Sequence, residues 1–198
     1  HNDLFVNKKI GNVIVQGNKV WVSTEYHGVF CFQMVGESFS FKLVKEYRVD
    51  FSDKKISSLN LYGSKIYIST DKGIYTLRNS IVEKLPFLEG EKINSVNENS
   101  KGELWIGTSE KGVYFLNKST IKNIRQTNSK LLDDYTTHIL VDKNDRVWVS
   151  SNTSLAEIDE DFAIESYYKI NGFDYIPQVV FEDKEGNVWI GTDGKGLV

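Results

Sequence analysis

His1, His27 and His138 are the only imidazoles of the 198-residue chain, and Cys31 is its only thiol. Metal binding or general acid–base work needs several such groups brought together, and three histidines this far apart in sequence do not make a set by themselves. His27 stands in a turn after a short β-branched run, where an exposed turn residue is expected. His138 opens a strand expected near the centre of the fold, a better place for function, yet a hydrogen-bonded structural imidazole is the preferred reading. One cysteine excludes an internal disulfide and a multi-cysteine zinc or iron–sulfur site. Within Phe30-Cys31-Phe32 it reads as a thiol packed in a sheet. No metal site and no cofactor is expected.

Carboxylates gather at 142–145, 159–161 and 182–185, and calcium favours several oxygens from one compact loop. The spacing disagrees. Counting a twelve-residue calcium loop from Asp142 puts Val147 where glycine is needed and Thr153 where the bidentate glutamate belongs, so these clusters read as polar hairpin turns. The glycine-rich GTDGKG of residues 191–196 would cradle phosphate only by opening a helix, and its flanks are strands. Gly107-Thr108-Ser109-Glu110-Lys111-Gly112 spaces its second glycine one residue too far for a nucleophile elbow.

Composition says what must position any site. There are 24 basic and 27 acidic side chains, a net charge of −3, and no Lys/Arg block, so neither nucleic acid nor an anionic membrane surface is an expected partner. With 11 Phe, 4 Trp and 10 Tyr against only Ala156 and Ala163, strand formers dominate and an all-α fold is excluded. No apolar run approaches the eighteen or so residues of a membrane helix. The chain begins at His1 without a signal-like segment and reads as a mature or excised piece, so membrane attachment would come only through absent segments.

One phrase recurs five times: KVWVSTEYHGVF from Lys19, KIYISTDKGIY from Lys65, ELWIGTSEKGVY from Glu103, RVWVSSNTSLAEI from Arg146 and NVWIGTDGKGLV from Asn187. Its aromatic anchors are Trp21, Tyr67, Trp105, Trp148 and Trp189, on average about 42 residues apart. Each sits in an alternating β-branched run, the period of a strand. Partner strands are expected at 11–15, 56–61, 93–96, 138–141 and 178–181, each joined to its anchor by a polar turn. Two residues past the anchor stands a small residue, where neighbouring backbone must come close, then a hydroxyl: Thr24, Thr70, Thr108, Ser151 and Thr192. A turn glycine follows in four copies, at Gly28, Gly73, Gly112 and Gly196, and the fourth copy substitutes Ser154. A third strand follows (29–33, 74–77, 113–116), and a fourth is clearest at 39–43, 81–85 and 121–124.

Four antiparallel strands per repeat is the blade of a β-propeller, and residues 1–198 are expected to form one propeller-repeat domain of about five blades, all-β. The indoles are expected to be buried between blades. The last blade lacks an outer strand. Residues 4–6 are expected to be the outer strand of a preceding blade, in a partial arc of a larger propeller, or of the last blade in a closed ring.

EDKEGNVWIGTDGKGL, residues 182–197, resembles the signature of the two-component regulator propeller repeats. NENSKGELWIGTSEKGVYFLN from Asn97 and VDKNDRVWVSSNTSL from Val141 are weaker copies. Tyr67 in place of tryptophan, Ser154 in place of glycine, and GFDYIP at 172–177 depart from the pattern. The resemblance implies the extracytoplasmic, periplasmic sensor part of a hybrid histidine kinase of Bacteroidetes, which perceives glycans released from polysaccharides. These residues contain no phosphoacceptor, ATP-binding, receiver or DNA-binding segment, so this stretch would sense or scaffold and not catalyse phosphotransfer.

In a four-stranded blade the second-to-third-strand turn and the link to the next blade leave at one end. The ligand-binding candidates are therefore Tyr26, His27, Asp71, Lys72, Glu110, Lys111, Tyr135, Asn152, Tyr175, Asp193 and Lys195, with Glu25, Asp133, Asp134, Phe173 and Asp174 beside them. Rings that stack on sugar faces, amid carboxylate, amide and ammonium groups, suit an oligosaccharide; an ordinary polar loop surface is the alternative. Two other functions stay open. Streptogramin-lyase-like repeats carry a similar phrase, and a lyase or lactonase would need a convergent acid–base or metal set, for which His138 is the only central histidine. A scaffold would instead bind the rest of a parent propeller or a second copy, as a homodimer, through its loop face or unpaired edges.

Overall fold

The structure is a computed structural model that describes residues 4–36, 40–48, 51–167 and 176–197. It contains two compact units, His1–Glu91 and Lys92–Val198. The first holds two antiparallel four-stranded sheets. Blade 1 runs in order β1(Ile10–Gln16), β2(Lys19–Thr24), β3(Gly28–Val35), β4(Ser40–Tyr47), and blade 2 in order β5(Ile56–Tyr62), β6(Lys65–Thr70), β7(Gly73–Arg78), β8(Ile81–Lys84).

The second unit holds three sheets. Blade 3 comprises β9(Ile93–Glu98), β10(Leu104–Thr108), β11(Val113–Leu116) and β12(Ile121–Ile124). Blade 4 comprises β13(Thr136–Val141), β14(Val147–Ser151), β15(Leu155–Ile158) and β16(Ile164–Tyr167). Blade 5 comprises β17(Pro177–Glu182), β18(Val188–Thr192) and β19(Gly196–Leu197), three strands among the described residues. Every expected strand within the repeats is present, to within a few residues at its ends. Among the described residues no helix is long and apolar enough to cross a membrane.

The recurring hydroxyl has a direct structural cause. Each donates to the carbonyl at the far side of the turn that follows it: Thr24 to Gly28 at 3.1 Å, Thr70 to Gly73 at 2.8 Å, Thr108 to Gly112 at 2.9 Å, Ser151 to Ser154 at 3.1 Å and Thr192 to Gly196 at 2.9 Å. In four copies the same oxygen also accepts an amide of the turn, from His27, Lys72, Lys111 and Ser154. One side chain thus closes the turn from both directions, a local bond pattern typical of Ser and Thr. At Gly112, φ is 68° and a Cβ would lie 2.3 Å from the Ile124 carbonyl oxygen, so glycine is required there. The small residue before the hydroxyl lets the next blade approach: a Cβ on Gly107 would meet Thr136 Cγ2 at 2.5 Å.

Side chains alternate across each sheet, and within each unit the anchor face of one blade packs on the opposite face of the next. In the first unit Trp21, Val29, Cys31 and Tyr47 pack with Leu59, Ile66, Ile68, Tyr75 and Leu77. In the second, Trp105, Val113, Phe115 and Ile124 pack with Ile139, Val147, Val149, Ala156 and Ile158. Leu155, with half-buried Leu140 and Trp148, packs on Val180, Ile190 and Val188. Burial of such side chains is worth about 1.5–3 kcal/mol each, which is why β-branched and aromatic residues occupy these positions.

Two sequence expectations are corrected. Residues 4–7 form a turn, closed by the Lys8 amide on the Phe5 carbonyl at 3.0 Å, and not a strand. The Phe5 ring edge packs on Phe30, centroids 5.2 Å apart, and that contact folds the segment onto blade 1. The anchors are also not uniformly buried: Trp21, Tyr67 and Trp105 are, Trp148 is half-buried, and Trp189 is 40% exposed.

Candidate functional site

The loop candidates occupy the expected turns, and in each unit these turns are tied to the inner strands. Glu25 follows β2. Its amide donates to Lys9, its carbonyl accepts from the Ile56 amide at 2.9 Å, and its carboxylate bridges Lys55 at 2.8 Å and Lys9 at 3.3 Å. Bonding to Lys55 and then Lys9 holds that carboxyl below its ordinary pKa. Asp71, after β6, accepts the Lys55 amide at 2.9 Å and returns its own amide to the Lys55 carbonyl. Lys72 bonds Asp53 at 2.9 Å, and Asp53, held also by Lys54, stays well below the usual carboxylate range. Lys55 therefore draws the turn after β2 and the turn after β6 together. Tyr26 and His27 project from this cluster as exposed tips.

In the second unit the turn holding Glu110 and Lys111 is clamped by an arginine that the sequence did not signal. Arg125 donates through Nε and a terminal nitrogen to Asp134 Oδ2, at 3.1 and 2.9 Å, and also reaches the Glu110 carbonyl at 3.3 Å. Asp134 in turn offers its carbonyl to the Gly112 amide at 2.9 Å, and Asn123 donates to the Lys111 carbonyl at 2.8 Å. Asp133 fixes the backbone of Tyr135 through its amide at 2.8 Å, leaving the Tyr135 ring 40% exposed beside this clamp. The structure thus ties the turn of Glu110 and Lys111 to the segment that carries Tyr135. Asn152 is exposed in the turn after β14, and Asp193 and Lys195 are exposed in the turn after β18, with the Asp193 amide bound to the Ile176 carbonyl at 3.0 Å. Tyr175, with Phe173 and Asp174, lies outside the described residues.

His138 sits on β13 with Nδ1 accepting the Val180 amide of β17 at 3.4 Å. Desolvation alone pushes its pKa down to about 4, so the ring is neutral near pH 7. Thr137 reinforces the same junction by donating to the Pro177 carbonyl at 2.9 Å. The imidazole links two blades, and among the described residues no ionised group adds to the effect of burial.

The carboxylate clusters serve hairpins. Asp142 Oδ1 accepts the amides of Asn144 and Arg146 at 2.9 and 3.0 Å, and Oδ2 accepts from Arg146 Nε at 2.8 Å. Asp159 caps its turn through the amides of Asp161 and Ala163, and Asp183 caps that of Asn187. Trp189 Nε1 and then Asn187 bond Asp183 and hold its pKa at about 2. Among the described residues no three His, Cys, Asp or Glu side chains converge as a metal set. Burial raises the pKa of Cys31, whose thiol is enclosed.

Repeated antiparallel sheets of up to four strands with anchor-to-face packing inside each unit are the elements of a β-propeller, and the solved structures agree. The extracellular domain of a B. thetaiotaomicron protein described as a hybrid two component system superposes with a TM-score of 0.74 at 20% identity, over 96% of this chain and 27% of that one. A second such domain from the same organism gives 0.73 at 16%, over 94% and 25%. Virginiamycin B lyase from Staphylococcus aureus gives 0.71 at 15%, over 92% and 62%. The chain therefore spans about a quarter of the length of the sensor domains and under two thirds of the lyase. At these identities the likeness is one of fold: this chain has the β-propeller fold. Residues 172–194 match the two component regulator propeller family, so the chain carries a repeat of that type. No curated protein sequence matches it.

Proposed function

We propose that this chain is a non-catalytic, extracytoplasmic sensor segment of a hybrid two-component regulator, and that the tips of its blade turns take part in recognising a glycan-derived ligand. The observation that carries this reading is the two component regulator propeller repeat at 172–194. The fold likeness to extracellular domains of hybrid two component systems supports the periplasmic location. The rim chemistry supports the ligand class. Tyr26 and Tyr135 offer exposed rings, each beside ion-paired and hydrogen-bonded groups that hold the backbone under it, an arrangement suited to stacking on the apolar face of a sugar. Asp71, Lys72, Glu110, Lys111, Asn152, Asp193 and Lys195, with His27, supply hydroxyl-bonding groups.

The lyase fold likeness comes with no acid–base arrangement that would favour an enzymatic reading: His138 Nδ1, the nitrogen that could act as a base in this tautomer, accepts a backbone amide. Calorimetric titration of an oligosaccharide panel, neutral, uronate-containing and sulfated, into the protein tests the assignment. Saturable binding of one glycan class is expected. Failure of every glycan alongside binding of another ligand class would overturn it.

A further inference from the structure

Blade 3 reaches blade 4 through residues 125–135, a longer link than 48–55 or 85–92 before it. A surface link of that length is ordinarily mobile, yet this one is tied down along its course. Asn128 Oδ1 accepts the Arg125 amide at 2.7 Å, and its NH₂ donates to the Asn123 carbonyl at 3.0 Å. Ser129 Oγ donates to the Arg125 carbonyl at 2.6 Å, and Gln126 Nε2 donates to the Leu132 carbonyl at 2.8 Å. Leu131 is buried in the core that blades 3 and 4 share.

The two ends of the loop close on one ion pair. Asp134 engages two Arg125 nitrogens through Oδ2 and the Gln126 amide through Oδ1, the last at 2.8 Å. The Asp134 side chain is only 20% exposed, so the pair is better shielded from water than a surface ion pair, and its two charge-assisted bonds fix its direction. Both elements that carry candidate contacts hang from it. Arg125 holds the Glu110 carbonyl and the Asp134 carbonyl holds the Gly112 amide, one on each side of Lys111. Tyr135 follows Asp134 directly, with its amide fixed by Asp133.

We propose that Arg125 is a positioning residue of the second unit's rim: paired with Asp134, it holds the Glu110–Lys111 turn and Tyr135 in the arrangement that meets a ligand, without touching the ligand itself. The role rests on the reading of the rim as a glycan-recognising surface. Groups held beforehand lose less freedom when a ligand arrives, so the clamp acts on affinity through Tyr135.

Arg125→Ala, Arg125→Lys and the double variant Arg125→Ala with Tyr135→Ala test this in two ways. Amide hydrogen exchange needs no ligand. In Arg125→Ala the Gly112 and Tyr135 amides are expected to exchange about tenfold faster, while Trp105 and Ile106 on the interior strand β10 keep their protection. Lysine keeps the charge without the planar fork, so Arg125→Lys should fall between. Calorimetry then compares affinities for an oligosaccharide that the unmodified protein binds. Arg125→Ala is expected to weaken binding about tenfold, and removing Tyr135 as well should weaken it little further, since the two act as one. Unchanged exchange at Gly112 and Tyr135, exchange that rises equally along β10, or losses that multiply in the double variant would each overturn the proposal. If no oligosaccharide binds the unmodified protein, the ligand assignment fails and exchange alone decides the clamp: local loosening upholds it, and its absence overturns it.

Discussion

Trp148 Nε1 donates to Asp142 Oδ2 at 3.2 Å, six residues upstream, where the same carboxylate caps the hairpin that delivers the tryptophan. Trp189 and Asp183 repeat the relationship at 2.8 Å. In blade 3 the equivalent of the aspartate is Asn99. Its Oδ1 still caps the turn, through the amides of Lys101 and Glu103, but its other atom is a donor bound to Glu103. An amide NH₂ cannot accept from an indole, and Trp105 Nε1 is buried with no hydrogen-bond partner among the described residues.

This difference predicts opposite outcomes for two substitutions. Asp142→Asn confronts the Trp148 and Arg146 donors with a third donor and is expected to lower stability by about 2 kcal/mol. Asn99→Asp combined with Glu103→Arg copies the Asp142–Arg146 arrangement and supplies Trp105 with an acceptor; a gain of about 1 kcal/mol is expected. Urea unfolding of the three proteins measures both.

Gly112 and Ser154 hold equivalent places in the repeat yet should respond differently to exchange. Gly112→Ser drives a Cβ into the Ile124 carbonyl at positive φ, and a loss of about 3 kcal/mol is expected. Ser154 is not among the residues of positive φ, and its hydroxyl lies 3.0 Å from that of Ser151. Ser154→Gly therefore gains no relief and is expected to cost about 1 kcal/mol. Thermal midpoints that fall in both, further for Gly112→Ser, would agree.

Acid should loosen the blade 4 to blade 5 junction. An unconstrained imidazole protonates near 6.5, whereas His138 stays neutral down to about 4 in the folded chain. The unfolded chain takes the proton first, so stability is full above pH 6.5 and declines as the pH falls towards 4. His138→Asn keeps an acceptor near the Val180 amide without a titrating group, and its stability should be flatter across that window. Equal slopes for the two proteins in pH-dependent denaturation would refute the assignment.

At the rim, Tyr26→Ala and Tyr135→Ala are each expected to weaken binding of a recognised oligosaccharide about tenfold, one lost stacking contact. Both rings are exposed, so melting temperature should hardly move. A loss of folding stability with unchanged affinity would assign these tyrosines to the scaffold.

The strands were legible because period-two alternation and the repeat reinforce each other: Val113–Leu116 and Ile121–Ile124 fall where the sequence placed them. Residues 4–6 misled because a short apolar run, Leu4-Phe5-Val6, ahead of the first repeat does not distinguish a strand from a turn pinned by one ring, here Phe5 on Phe30. The rim positions were legible as turn tips. Their anchoring was not, since Arg125 carries no motif and meets Asp134 only through the fold. Nor could sequence separate Trp189 from Trp105, because the two phrases are alike and what differs is the material lying across the sheet.

Cys31 lies in the core of the first unit, beside Trp21, and is the chain's sole thiol. Its alkylation must await opening of that unit, so the rate of labelling by a thiol reagent is a built-in clock for His1–Glu91 alone. The same protein followed by tryptophan emission, three of whose four indoles belong to Lys92–Val198, reports chiefly on the other unit. Run side by side, the two signals reveal whether the halves open together or in turn.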